Sequence, residues 1–358
     1  MLDALIIGQG IAGSCLALEF LKRGKKIMLI DDDWNGAACL VAAGVLNPIT
    51  GKRLVKSWRS ETALPFAKKF YENLQHELGE IFYQERKILQ LCKSEEEAEL
   101  WSKRKSESAY ADFLSEKSDP KTYAPINDNF GSFLINFAAW VEAPSAMKTL
   151  RKYFLERGIL NLECFDYSKI TRESGGSFSY KILKTKRIIF CEGWRAIDNP
   201  YFNWLPYRPA KGEILSIVTP ADLGEHIIHR EKWIMKFKNQ VYRCGSTWDR
   251  VNFRNSQPTT EAKEELAKAL PNIVGKDTPF RIFEHEAGVR PCTATTRPHI
   301  GEHPSERGLF SFNGLGSKGW ALSPYFAEHF VKYIYGETEL DAEANLARHT
   351  RAFFGKCF

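Results

Sequence analysis

This chain has no long apolar run. No stretch reaches the roughly 18 apolar residues of a membrane span, so no membrane partner is expected. It has no positive leader either. Asp3 stands where a signal peptide carries basic residues, and Leu5–Ile7 runs straight into glycines. A cytoplasmic location is the default expectation. Eight cysteines are scattered along the sequence and none forms a CxxC pair, so they read as reduced core residues. A compact Lys/Arg block is missing. The net charge of +6 suits an anionic cofactor, an acidic substrate or RNA without choosing among them. No Ser–His–Asp arrangement or metal-ligand set stands out. His226 and His229 form HxxH, but on a strand they do not share a ligand face. His299 and His303 read as loop residues. No metal is expected.

What is present begins at the N-terminus. "LIIGQGIAGSCLALEFLKRGKKIMLIDDD" covers Leu5–Asp33. Leu5–Ile7 reads as a buried strand. Gly8, Gly10 and Gly13 form GxGxxG. Ala17, Leu18 and Leu21 recur at helical spacing and Gly24 ends the helix. Ile27–Ile30 is a second strand with Asp31 at its carboxyl end, about 20 residues past the glycines. Gly8 makes the tight turn, Gly10 leaves room for a pyrophosphate, and Gly13 lets the helix lie close on the strands. The helix N-terminus offers free N–H groups to phosphates. Asp31 can accept hydrogen bonds from ribose hydroxyls, whereas Asp32 and Asp33 read as solvated. The pattern marks a dinucleotide site and argues against a 2′-phosphate. It does not separate NAD from FAD.

With 358 residues, the chain can bury a large core and form two lobes. Gly36–Thr50 is small and nearly uncharged, as a segment lying along a flat ligand or a buried linker would be. Lys52, Arg53, Lys56 and Arg59 flank Trp58 and read as a solvated surface. Phe66, Phe70, Tyr71, Leu74 and Leu78 mark a helix closed by Gly79. Ile81–Cys92 is strand-like. Ser94 with Glu97 is a capping box, and Lys103–Lys121 is a polar excursion. Phe133–Val141 is strand-like and Pro144–Gly158 helical. Leu160–Phe165 and Arg187–Phe190 read as strands returning to the first sheet. Gly212–Val218, Ile227–Phe237 and Gln240–Gly245 read as antiparallel strands, followed by a helix over Thr260–Leu270. Phe280–Phe283 and Leu309–Phe312 are further strands, and a helix over Trp320–Tyr335 closes the chain. The order predicts a mixed α/β chain of two domains woven from alternating segments. Residues 1–60, 141–205 and 286–358 would form the nucleotide domain. Residues 61–140 and 206–285 would form an antiparallel-sheet substrate domain.

The C-terminal third adds a second glycine loop. "FNGLGSKGWALSPYFAEHF" is a strand end, then Gly314, Gly316 and Gly319, then a helix in which Pro324 is tolerable near the first turn. A flavin uses such a site, because its reduced ring carries negative charge that a helix N-terminus stabilises. "VAAGVLNP", "FCEGW", "RPAKGEIL", "GVRPCTATTRPHIG" and "GLGSKGW" follow the opening motif in the order seen in the D-amino-acid oxidase/glycine oxidase superfamily. The chain resembles that superfamily over nearly its whole length. "GVLNP", "AKKFYENL", "ILQLCKSEEEAELW" and "LGSKGW" are similar to the FAD-dependent half of bacterial wobble-uridine tRNA-modification enzymes. The methyltransferase half of those enzymes has no counterpart here.

The resemblance implies an FAD-binding Rossmann-like domain interleaved with the substrate domain, and noncovalent FAD. Gly8, Gly10, Ile11, Ala12, Gly13, Asp31 and Asp32 would hold the ADP part, with the Tyr167 backbone at adenine. Ala43 and Gly44 would lie along the isoalloxazine with Gly193 nearby. Gly314, Gly316, Ser317, Lys318, Gly319 and Trp320 would meet the flavin's pyrimidine edge. Arg290 would grip a substrate carboxylate, which its planar fork suits; the lesser alternative for it is a structural ion pair. Thr295 replaces a common Asp, and Lys318 a common Arg that would give a second grip. Cys292 is not at the covalent-attachment position of the sarcosine-oxidase branch. The implied reaction is oxidation of a carboxylate-bearing amine or amino acid, by hydride transfer to flavin N5, imine hydrolysis and reoxidation by O2. One rival is demodification of a carboxymethylaminomethyl group on tRNA, with the Lys52–Arg59 cluster on phosphates. Another is a flavin-binding assembly protein without turnover.

Overall fold

The structure, a computed structural model, describes residues 1–32, 37–51, 53–116 and 125–355. Asp33, Gly36, Lys52, the end of the Lys103–Lys121 excursion and Cys357 lie outside the described residues. The opening apolar run becomes the centre of a six-stranded sheet. Its order is Leu160–Leu162, Ile27–Asp31, Ala4–Ile7, Ile188–Phe190, Leu309–Asn313 and His299–Glu302. The first five strands are parallel and the last is antiparallel. Strands buried on both faces are apolar throughout, and Ala4–Ile7 shows why. Ala4 and Ile6 pack toward helices Ile11–Lys22, Ser60–Leu78, Ala143–Glu156 and Gly319–Ile334. Leu5 and Ile7 pack on the opposite side against Phe178 and Tyr180.

The second sheet has eight strands. Its order is Arg281–Arg290, Ala210–Val218, Val241–Gly245, Lys232–Lys238, Ile227–Arg230, Ile88–Leu91, Ser132–Ile135 and Leu114–Glu116. All neighbours are antiparallel except Ile227–Arg230 with Ile88–Leu91. Its outer face packs Leu89, Leu215, Ile228 and Tyr242 on helices Thr260–Ala269 and Pro271–Val274. A three-stranded sheet of Val45–Leu46, Ala139–Val141 and Tyr83–Glu85 forms beside it.

Several sequence expectations are refined. Ile81–Cys92 and Phe133–Val141 each split into two strands serving different sheets. Ile227–Phe237 is a hairpin turning at Glu231, whose φ is +59°. Phe280–Phe283 is the start of a ten-residue strand running to Arg290. His299 opens a strand and is fully buried, so it is no loop residue. The meander Ile170–Arg172, Phe178–Tyr180 and Leu183–Thr185 was not anticipated, because its three-residue strands are short, the outer two are largely polar, and only Phe178 and Tyr180 of the middle one reach the core. The capping box at Ser94 forms half as expected. Ser94 Oγ accepts from Glu97 N (3.4 Å), but the Glu97 carboxylate reaches back to Lys93 N (2.7 Å).

Pro324 stands at the sixth residue of its helix and has no N–H to give the Trp320 carbonyl. Tyr71, fully buried on the facing helix, donates its hydroxyl to that carbonyl at 2.7 Å. The break in one helix is thus satisfied by another. Tyr71→Phe should leave a buried carbonyl unpaired and cost about 1–3 kcal/mol. Urea unfolding checks this, with a drop in midpoint at unchanged slope as the expected result.

Candidate active site

The GxGxxG turn is built as the spacing requires. Gly8 has φ +98°, and a Cβ there would sit 2.5 Å from the Cys191 carbonyl. A Cβ on Gly13 would lie 1.9 Å from the Gly8 carbonyl, so this glycine serves helix packing and does not line the cavity. The helix from Ile11 carries no acid in its first turn, which leaves its N-terminus fit for an anion. The helix from Gly319 likewise has no acid in its first turn. The two N-termini converge, since a Cβ on Gly319 would be 3.1 Å from Ile11 Cγ2.

Both helix starts open onto one elongated cavity of about 920 Å³. At one end lie Gly8, Gly10, Ile11, Ala12, Asp31, Asp32, Tyr167 and Gly193. Residues 37–45 line its middle without a break, including Ala43 and Gly44. Gly44 packs so closely that a Cβ would lie 1.8 Å from the Val141 carbonyl. Arg290, Gly316, Ser317, Lys318, Gly319 and Trp320 line the cavity too, with Gly319 against Ile11. Gly314 is set back from the cavity. Its φ of +79° and a Cβ position 2.7 Å from Thr293 Cγ2 make it a packing glycine.

Asp31 is held from two sides. Gln9 N donates to Oδ2 at 2.8 Å, and both Arg151 Nη atoms donate to Oδ1 at 3.0 Å. Arg151 also reaches Gln9 Oε1 at 2.8 Å. Sequence reasoning missed Arg151, which lies 120 residues away on another helix. Asp32 is an exposed residue just past the strand end, as expected, and its carboxylate is ion-paired with Arg195. The Tyr167 hydroxyl donates to Glu192, whose other oxygen accepts from Asn199 Nδ2 at 2.7 Å. Burial pushes the Glu192 carboxyl up to about 7 against these hydrogen bonds. Glu192 stood inside the "FCEGW" motif, but nothing in the sequence marked it as buried.

Arg290 lies flat on the sheet. Gly212 faces it from the neighbouring strand, and a Cβ there would sit 2.0 Å from Nη2. Nη2 donates to Ser246 Oγ at 2.6 Å and Nη1 to the Thr247 carbonyl at 3.3 Å. The guanidinium carbon is 4.7 Å from the Trp248 ring centre, a cation–π contact. Among the described residues no carboxylate pairs with Arg290, so the ion-pair reading of this residue finds no partner. Burial lowers its pKa, yet a guanidinium stays charged. Lys318 is half-buried in the same cavity, its pKa lowered by burial and by nearby Arg297.

The oxidoreductase family described as "FAD dependent oxidoreductase" (DAO) matches residues 3–333. The chain belongs to the DAO family. FAD is therefore its cofactor. The chain is 21% identical to a glycine oxidase of Pseudomonas aeruginosa, over 89% of this chain and 91% of that one. It is 23% identical to the tRNA 5-methylaminomethyl-2-thiouridine biosynthesis bifunctional protein MnmC of Marinobacter nauticus, over 92% of this chain but 55% of that protein. The chain thus spans about half the length of that curated relative. Among solved structures it is similar in fold to the iminodiacetate oxidase of Chelativorans sp. BNC1 (TM-score 0.79, 21% identity, covering 95% of this chain and 98% of that one). It is similar also to glycine oxidase from Geobacillus kaustophilus (TM-score 0.79, 20% identity, covering 97% and 99%).

The cavity fits this DAO cofactor. Two acid-free helix N-termini, a pyrophosphate-sized glycine turn and an uncrowded wall at 37–45 are what an extended FAD needs. The described cations of the Lys52–Arg59 cluster are neutralised or turned outward. Lys56 pairs with Glu61 at 2.6 Å, Arg59 with Asp341, and Arg53 is exposed. Trp58 lines the cavity with its Nε1 donating to Glu343 at 2.8 Å. Among the described residues no group of His, Cys, Asp and Glu is placed to hold a metal ion, and no helix is long and apolar enough to cross a membrane.

Two outcomes follow. The folded state holds the Glu192 proton up to about pH 7, whereas the unfolded chain releases it near the ordinary carboxyl value of 4.5. Between those values the native state binds more protons, so Glu192 makes stability fall as pH rises. Glu192→Gln should flatten that part of the stability–pH curve, measured by urea midpoints from pH 4 to 8. Gly212→Ala should push the Arg290 guanidinium off its bed. Steady-state kinetics should show KM for a carboxylate substrate rising by roughly tenfold or more with little change in thermal midpoint.

Proposed function

We propose that this chain oxidises the C–N bond of an amine or amino acid carrying a nearby carboxylate. The observation that carries this reading is Arg290, a half-buried guanidinium facing the cavity without a carboxylate of its own. A buried charge without a counterion is costly, and a substrate carboxylate removes that cost by accepting two parallel N–H bonds. FAD, when bound, supplies the two-electron oxidant for the amine. Gly8, Gly10, Asp31 and Asp32 are the residues to hold its ADP part, with Tyr167 beside them and Gly13 packing the helix behind the turn. Ala43, Gly44 and the Gly316–Trp320 turn are suited to its ring. The chain's own work is positioning. Arg290 fixes the carboxylate, Ser246 and Thr247 fix Arg290, and the apolar wall at 37–45 excludes water. The oxidised product is an imine that water hydrolyses to a carbonyl compound and a free amine.

Names of relatives supply candidates. Glycine and iminodiacetate are carboxylate amines, and the MnmC relative points to an amine borne on tRNA. The pairing of Lys56 and Arg59 with acids weakens the tRNA reading, because those cations are not left to meet phosphates. A tRNA substrate would show a KM that climbs steeply with salt; the expectation here is a KM for a small amine that salt leaves nearly unchanged.

Arg290→Met should lower kcat/KM for carboxylate amines by about 100-fold or more while FAD stays bound. Arg290→Lys should recover only part of it, since an ammonium lacks the fork. Oxygen uptake with purified holoenzyme measures both. Unchanged kcat/KM in Arg290→Met would contradict this placement of the carboxylate.

A further inference from the structure

The cavity does not end at Arg290. On the eight-stranded sheet, Gln90 pairs with His229, His229 with Trp233, Trp233 with Gly245, and Gly245 with Ile214. Residues directly opposite one another in a sheet point to the same face. This row therefore shares one face, which is the cavity face, because His229, Trp233 and Ile214 all line the cavity. Gly245 leaves the row open at its centre. A Cβ there would come within 3.1 Å of Trp233 Cζ2, so the indole lies across the bare backbone. The Arg290 guanidinium reaches Ser246, the residue next to Gly245. His229 lies two strand spacings farther along the row, roughly 10 Å away.

At that far end the hydrogen-bond roles are fixed. Gln90 donates Nε2 to the Leu91 carbonyl at 3.3 Å, which turns its Oε1 toward His229. That oxygen is 2.7 Å from His229 Nδ1. An amide oxygen only accepts, so Nδ1 carries the proton and Nε2 presents a lone pair. Among the described residues nothing donates to Nε2. Burial, reinforced by Lys93, pushes the imidazole down to about 4, so it is neutral near pH 7. Ile88 and Ile227 flank it and offer no other polar atom from their side chains.

We propose that His229 Nε2 forms a distal subsite that accepts a hydrogen bond from an N–H or O–H on the substrate's N-substituent. The substrate class is then a secondary amine, an N-substituted glycine about as long as the span from Arg290 to His229. Glycine and sarcosine are too short to reach both ends. This rests on the carboxylate anchor at Arg290 proposed above.

The test uses holoenzyme and two inert thioether carboxylates, (benzylthio)acetate and (4-hydroxybenzylthio)acetate. They lack the amine that is oxidised and differ by one O–H donor. Dissociation constants come from the perturbation of the visible flavin band. The hydroxylated probe is expected to bind about tenfold more tightly. His229→Leu should abolish that advantage while leaving the affinity for (benzylthio)acetate intact. Gln90→Met, which removes the group that fixes the proton on Nδ1, should shrink it and serves if His229→Leu does not fold. Arg290→Met should weaken both probes equally. Equal binding of the two probes by the wild type, or an advantage that survives both the His229 and Gln90 variants, overturns the subsite. If neither thioether binds while acetate still perturbs the band, the subsite fails and the anchor stands. If acetate also leaves the band unmoved, the anchor fails with it.

Discussion

A guanidinium lying on bare backbone is the constraint on which this site turns. Arg290 is flat against the sheet only because Gly212 has no side chain beneath it. Gly288, two residues before Arg290, pairs with Gly212 across the strands and lets the 38–41 segment pack close, since a Cβ there would lie 3.1 Å from Val41 Cβ. The clamp above comes from Ser246, Thr247 and Trp248. That segment is tied down from behind. Glu213 N donates to Thr247 Oγ1 at 3.0 Å, and Asp249 N donates to the Lys211 carbonyl at 2.9 Å. Lys211 and Glu213 themselves form an ion pair at 3.0 Å, each 1% exposed. Such a pair adds little net stability. Its effect is geometric: Thr259 donates twice to Glu213, and Lys211 to the Gln257 carbonyl, so the loop cannot lift away from the strand.

Both sheets contribute charged groups to the cavity. The parallel sheet brings Asp31 and Asp32, paired with Arg151 and Arg195, and Glu192 follows the strand at 188–190. The antiparallel sheet and the last helix bring Arg290 and Lys318. The helix N-termini at Ile11 and Gly319 lie against each other, so their partial positive charges are concentrated in one place. This arrangement places ligand contacts at the carboxyl ends of parallel strands, as open α/β sheets do.

The nucleotide end was legible because its signals are local. Glycine spacing, a short apolar strand and an acid at the next strand end all lie within about thirty residues. The motif at Arg290 was legible by likeness alone. Its physical basis was hidden, since Gly212 lies 78 positions away and becomes relevant only through strand pairing. Arg151 and Glu192 were missed for the same reason: one acts across 120 residues, and the other becomes distinctive only through burial. Asp32 is exposed as its loop position suggested, but its ion pair with Arg195 was hidden because that partner comes from a different segment of the chain. The His226–His229 spacing was read as surface or core histidines. It gave no hint that pairing with Gln90 fixes the tautomer of His229.

The central claim is that this DAO-family chain oxidises amines through a carboxylate grip at Arg290. The most direct measurement is anaerobic mixing of the holoenzyme with matched amines, N-benzylglycine and N-ethylbenzylamine, which differ chiefly in the carboxylate. The account predicts bleaching of the visible flavin band by the first and none by the second at equal concentration. Bleaching by both at similar rates, or by neither, would contradict it.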